Sequence, residues 1–189
     1  MGCFLDFLRA YKTLSETTIH LMKRVPDNME EFKPPAGEFM TTGELLHHLG
    51  ETQRFFRLIL EGEFRELDRN FLEYMAKHTS VSRDESIRYY QEEYAKTIEL
   101  LDRIDEEQFD ELRRYFWTVE DEPLPFIAFN VIEHNANHKY QLFMYLKMMG
   151  LPGINSFALA GEDDKSMEEV IQMYEMAHKA YDERHGVKS

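Results

Sequence analysis

Apolar side chains recur at steps of three and four along most of the chain, and strict alternation is rare. Phe4, Leu8, Tyr11, Leu14, Thr18 and Met22 draw one mostly apolar stripe, which predicts a first helix over about 3–24. Leu45, His48, Thr52, Phe55 and Ile59 draw a second stripe, on a helix beginning near Thr42 and ending near Glu61. Thr41 followed by Glu44 forms a capping box at its start, in which side chains satisfy the unpaired amides of the first turn. Ser82 with Glu85 repeats that signal and opens a third helix to about Ile104, and a short helical turn is expected within 106–115. Pro125 is tolerated in a first turn. From it a fourth helix runs through Ile127, Val131, His134, His138, Leu142, Tyr145 and Met149 and stops at Gly150. A last box, Ser166 with Glu169, opens a fifth helix to about Arg184.

Proline and glycine cluster in the connections: Pro26 to Gly37, then Gly62, then Pro123 and Pro125, then Gly150 to Gly161. Four long helices joined by connections of several residues favour an all-α four-helix bundle. The stretch 62–81 is long for a bare loop, so some local order is expected there. Residues 1–160 are assigned to the bundle. Residues 161–189 form an additional C-terminal helix and tail, packed on the bundle or on a second subunit.

Composition adds a core and removes several partners. The chain is 43% hydrophobic and 31% charged, which supports folding rather than disorder. It has 22 Lys+Arg against 36 Asp+Glu, a net charge of −14, and its basic residues come singly or in isolated pairs such as Arg113-Arg114. Phosphate backbones and anionic lipid repel such a surface, so the reading is no nucleic acid and no membrane. No apolar run approaches the roughly 20 residues of a membrane span. The opening residues carry Asp6 and no basic segment, and the single Cys3 cannot form an internal disulfide. These features predict a cytoplasmic protein.

The chemistry lies in the histidines. His134 and His138 sit one turn apart on the fourth stripe, a spacing at which two imidazoles can converge on one divalent ion. His48 lies on the second stripe, with His47 nearer its edge. Two facing helices can set His48 against the pair. An apolar setting keeps the rings neutral, as ligation requires. Three imidazoles with open positions describe a catalytic metal site rather than a closed structural one. Asn135 follows His134 where a zinc-protease H-E-x-x-H has Glu, which argues against that class. The ordinary alternative is a set of hydrogen-bonded core histidines.

Leu45-Leu46-His47-His48, followed late in the chain by His134, His138, Gln141, Leu142, Tyr145, Leu146 and Gly150, resembles the DinB/YfiT superfamily of metal-binding four-helix bundles. The resemblance covers the helix plan from about 3 to 150. It departs at Lys139-Tyr140, where many members carry Arg-Gly, and the helix at 166–184 lies beyond the shared part. It implies an up-down-down-up bundle, often a homodimer, with nickel, zinc or iron held by His48, His134 and His138. It also implies a small-molecule substrate, with S-transfer from a low-molecular-weight thiol, thiol-dependent isomerisation or metal-dependent hydrolysis as the chemistry.

Glu51, nearly one turn after His48, and Gln141, one turn after His138, are the candidate catalytic side chains. The first would act as a base or orient a ligand; the second would bond a ligand or a bound water. Glu44 is better explained by capping. His20 is expected in solvent and His178 in packing on the fifth helix; Tyr115 and Trp117 line a pocket mouth or pack. No serine elbow, Walker loop or dinucleotide glycine pattern is present. Two functions follow. One is a metal-dependent enzyme, a thiol S-transferase or a hydrolase. The other is a non-catalytic ligand-binding or interaction module with a structural metal, which the acidic surface and the fifth helix would suit.

Overall fold

A computed structural model describes residues 3–35, 37–63, 66, 69, 73, 79–115, 118, 120–161 and 166–186. Helices α1 (Cys3–Lys23), α2 (Thr42–Glu61), α3 (Arg83–Leu101) and α5 (Leu124–Met148) form the bundle. A single turn, α4 (Glu106–Phe109), and a C-terminal helix, α6 (Met167–His185), complete the described helices of any length above three residues. The boundaries follow local chemistry. Thr41 and Glu44 make the full capping box before α2, and Ser82 accepts the Glu85 amide before α3. Gly62, in the left-handed region at φ 74°, ends α2 and returns its amide to Ile59 and Leu58.

Side-chain pairs fix the directions. Phe7 meets Phe56 and Tyr11 bonds Gln53, so α1 and α2 are antiparallel. Gln53 bonds Tyr90 and Arg57 bonds Glu93, so partner numbers rise together and α2 and α3 are parallel. Phe7 meets Phe129 and Lys139 bonds Thr17, so α1 and α5 are parallel. The order is up-down-down-up. Two parallel neighbours require the chain to travel back the length of the bundle between them, which is the reason for the long connection from Gly62 to Ser82. Within it, Glu66, Arg69 and Glu73 are helical, as the expected local order requires.

The core has an aliphatic end and an aromatic end. Leu21, Met22, Leu45, Leu46, Leu49, Leu142 and Leu146 pack at the first. Phe4, Phe7, Tyr11, Phe56 and Phe109 pack at the other, with Phe7 at the centre of four ring contacts. A buried polar chain links three helices: the Tyr11 hydroxyl donates to Gln53 Oε1, and Gln53 Nε2 donates to the Tyr90 hydroxyl at 3.0 Å. Burial raises both phenols, so they stay protonated and able to donate. Glu93 is buried as well, which alone would raise its carboxyl. Hydrogen bonds from Lys96 and Arg57, each 2.7 Å, hold it below the ordinary value instead.

Several expectations change. The helix predicted to reach Ile104 ends at Leu101. The turn expected over 106–115 is helical only to Phe109; Leu112–Arg113 then pairs antiparallel with Glu122–Pro123. Two-residue strands are too short to leave a periodic signal. His20 is half-buried rather than solvated. Tyr115 packs with Phe55, Leu58, Ile59 and Ile127, and Trp117 and His78 lie outside the described residues. No described side chain of α6 is buried, and Ile171, Tyr174, Met176 and Tyr181 stand exposed on it. Among the described residues, no helix is long and apolar enough to cross a membrane.

Gly50 sets the approach of α3 to α2, because a Cβ there would lie 2.5 Å from Tyr89 Cδ1. Gly50→Ala is expected to destabilise the protein by about 1–3 kcal/mol through overpacking, despite the better helix propensity of alanine. Urea denaturation checks this, and an unchanged or higher midpoint would contradict the close packing.

Candidate metal centre

The antiparallel pairing of α2 and α5 brings one turn of each to the same level. His48 Nε2 lies 3.0 Å from His138 Nε2 and 3.1 Å from His134 Nε2. One nitrogen of each ring lies within 4.8 Å of the other two. Beside them, Thr52 Oγ1 meets Asn135 Oδ1 at 2.5 Å, tying the same two helices one turn further along. On α5 the buried positions are Leu124, Ile127, Ala128, Asn135, Leu142, Phe143, Tyr145 and Leu146, so the stripe is buried on either side of the histidines, while His138 itself is half-buried and His134 exposed. His134 is the ring most open to solvent. The cluster therefore lies toward the outer edge of the α2–α5 seam, with its rings partly rather than fully desolvated.

A chain of hydrogen bonds fixes one ring. The Met40 carbonyl can only accept, so the Tyr145 hydroxyl donates to it, at 2.8 Å. The lone pair of that hydroxyl then receives the Gln141 amide nitrogen at 2.9 Å. This leaves Gln141 Oε1, an acceptor, facing His138 Nδ1 at 3.0 Å. His138 Nδ1 must carry the proton, and its Nε2 lone pair points into the cluster. Burial first, and then the neighbouring His138, push His134 down to about 4. Burial also lowers His138, partly offset by its bond to Gln141. Both rings are neutral near pH 7, the form a metal requires.

These residues fit a divalent ion. Three neutral nitrogens about 2.0–2.1 Å from a common centre lie about 2.9 Å apart at right-angle ligation and about 3.3–3.4 Å apart at tetrahedral ligation. The observed 3.0 and 3.1 Å fall at the near end of that range. A single N–H shared between rings satisfies one of the two contacts only, whereas a cation accepts a lone pair from each of the three rings. No Asp, Glu or Cys joins the group among the described residues.

The other candidates are placed as follows. Glu44 accepts the Thr41 amide at 2.7 Å and is a capping residue. Glu51, the candidate base, is buried and accepts the Tyr89 hydroxyl at 2.6 Å, with His47 and Arg54 at 3.7 and 3.8 Å. It is engaged by α3 and not by the cluster. Gln141 bonds His138 Nδ1 and the Tyr145 hydroxyl. Tyr145 was legible only as a core position; the spacing of His138, Gln141 and Tyr145 at three and four already placed them in a row. Lys139 spans to Thr17 and the Leu159 carbonyl, each 2.9 Å, on the other side of α5.

A family model described as the DinB superfamily matches residues 10–142. The chain belongs to the DinB superfamily. Two solved structures share its fold at low identity. A DinB-like protein from Bacillus subtilis is 20% identical, with 77% of this chain and 93% of that one covered and a TM-score of 0.59. A DinB-like protein from Bacillus cereus is 18% identical, with 77% and 91% covered and a TM-score of 0.60. No curated protein matches the sequence. In this DinB bundle the expected Arg-Gly after the last histidine is replaced by Lys139-Tyr140, and Lys139 serves helix packing while Tyr140 is exposed. The family and the three-histidine cluster together suggest a metal ion.

The depressed His134 and His138 give the metal-free protein a pH dependence. Below about 6.5, the ordinary histidine value, the unfolded chain takes up protons that the folded rings refuse. Stability is therefore full above that pH and falls as pH drops toward the His134 value of about 4. Melting temperatures of chelator-treated protein between pH 7.5 and 4.5 check this. A His134→Phe variant should show a shallower loss, and an identical slope in both proteins would contradict the assignment.

Proposed function

We propose that this DinB-superfamily protein is a metal-dependent enzyme whose divalent ion is held by His48, His134 and His138, and that it transfers a low-molecular-weight thiol to an electrophilic substrate. The observation that carries the metal is the convergence of three Nε2 atoms, one of them fixed as a lone-pair donor by Gln141. A bound ion of this kind supplies a Lewis acid that keeps a thiol as thiolate at neutral pH. Nickel, zinc and iron all suit such imidazole ligation.

The side chains around the cluster favour thiol transfer over hydrolysis. Hydrolysis is helped by a carboxylate that takes a proton from water and returns it to the leaving group. Glu44 is committed to the helix cap and Glu51 to Tyr89, and no carboxylate joins the cluster among the described residues. Thiol transfer makes no such demand. The thiol proton goes to solvent, sulfur bonds the electrophilic carbon, and the leaving group departs with its electron pair. Gln141 acts as a positioning residue, since it touches His138 and not the reactants. The exposed apolar residues of α6 support the second reading, an interaction module in which the ion is structural.

Two experiments separate these readings. His138→Ala should cut metal stoichiometry several-fold, and Gln141→Leu should weaken metal affinity by about 10–100-fold while the fold is kept. Unchanged metal content in purified His138→Ala protein defeats the site. Metal-loaded protein assayed with thiol-plus-electrophile and ester panels should consume thiol, lose that activity to a chelator and regain it with metal. Turnover of esters alone would favour hydrolysis, and inactivity across both panels would favour the module.

A further inference from the structure

Beyond His138, the face of α5 that carries the cluster continues through Gln141, Tyr145 and Met148, at steps of three, four and three. The connection between α1 and α2 lies against it there. Between them is a cavity of about 420 Å³, walled by Pro34, Phe39, Met144 and Met148 and floored by Gln141 and Tyr145. That volume lies within the roughly 300–1,000 Å³ of small-molecule sites. The slot is apolar in effect as well as in composition, because the polar atoms of its floor are already engaged. Gln141 Oε1 accepts from His138, its Nε2 donates to Tyr145, and the Tyr145 hydroxyl donates to Met40. A ligand in the slot is therefore held by leaving water, not by new hydrogen bonds. Phe39 is 45% and Met148 52% exposed, so wetted apolar surface is present for a ligand to cover.

The slot and the cluster share a residue. Gln141 forms the floor of one and holds a ring of the other. Met148 stands ten residues past His138, about 15 Å along the helix axis, so the slot leads away from the histidines in one direction. We propose that the slot receives the apolar tail of the substrate whose reacting head lies at the three histidines. The substrate class is then an amphiphile: a small polar or electrophilic head on a medium-length alkyl or aryl tail. This inference rests on the metal reading above, and it adds where the rest of the substrate lies.

The test uses cobalt(II)-loaded protein and a series of straight-chain hydroxamates, from acetohydroxamate through butano- and hexano- to octanohydroxamate. The head binds the metal and shifts its visible absorption, and elemental analysis reports the metal separately. Affinity should rise about three- to fourfold per added methylene until the slot is filled. Met148→Gln, at an exposed position, should lower octanohydroxamate affinity by about fivefold or more while acetohydroxamate affinity and metal content stay the same. Equal affinity along the series, or a Met148→Gln effect equal on short and long tails, overturns the slot while leaving the metal site standing. A tail effect that fades as protein concentration rises, with self-association by sedimentation, gives the slot to a second copy and overturns the proposal as well. Absence of bound cobalt defeats the metal reading itself, and the slot's role falls with it.

Discussion

Two ring nitrogens, of His134 and His138, held about 3 Å from a third, that of His48, are the constraint on which the rest of this molecule turns. Lone pairs at that separation repel unless something positive stands among them. A proton on one ring relieves one edge of the triangle, and full protonation is opposed by the burial that drives His134 down to about 4. The protein does not leave the choice of tautomer open. A carbonyl that can only accept, at Met40, dictates the Tyr145 hydroxyl, then the Gln141 amide, and finally the proton on His138 Nδ1. Four groups spread over a loop and one helix thus determine which nitrogen faces the cluster.

The bundle topology makes that arrangement possible. Because α2 and α5 are antiparallel, His48 can meet both His134 and His138, with Thr52 and Asn135 pinning the helices at the next turn. On its other side α2 is clamped to α3, through the close approach at Gly50, the Gln53–Tyr90 bond and the Arg57–Glu93 pair. That second interface absorbs Glu51, which leaves the cluster without a nearby carboxylate. The proposed preference for thiolate attack over water activation rests on there being no such group in the cluster among the described residues.

Much of this was legible in the residues, for identifiable reasons. Capping boxes and apolar spacing located all four long helices, because each signal is local and repeats several times within one element. His48, His134 and His138 stood out since ring residues on otherwise apolar stripes are costly without a partner. The short β1–β2 ladder left no trace, being too brief for periodicity. The partner of Glu51 was not legible because spacing along α2 alone does not say which neighbour its carboxylate meets; Tyr89 arrives from α3, 38 positions away. The Gln141–Tyr145–Met40 chain was half visible, as its last link is a backbone carbonyl 105 positions distant. Helix stripes likewise overstated the depth of the histidines: His48 and His138 are half-buried and His134 is exposed.

One cation should bind all three rings at once. Crystals of the cobalt(II)-loaded protein, measured at the cobalt absorption edge, test it most directly. A single anomalous peak is expected about 2.1 Å from Nε2 of His48, His134 and His138, with Gln141 still bonded to His138 Nδ1. Rings turned apart with no peak between them, or a peak only at histidines elsewhere such as His178 or His185, would contradict it.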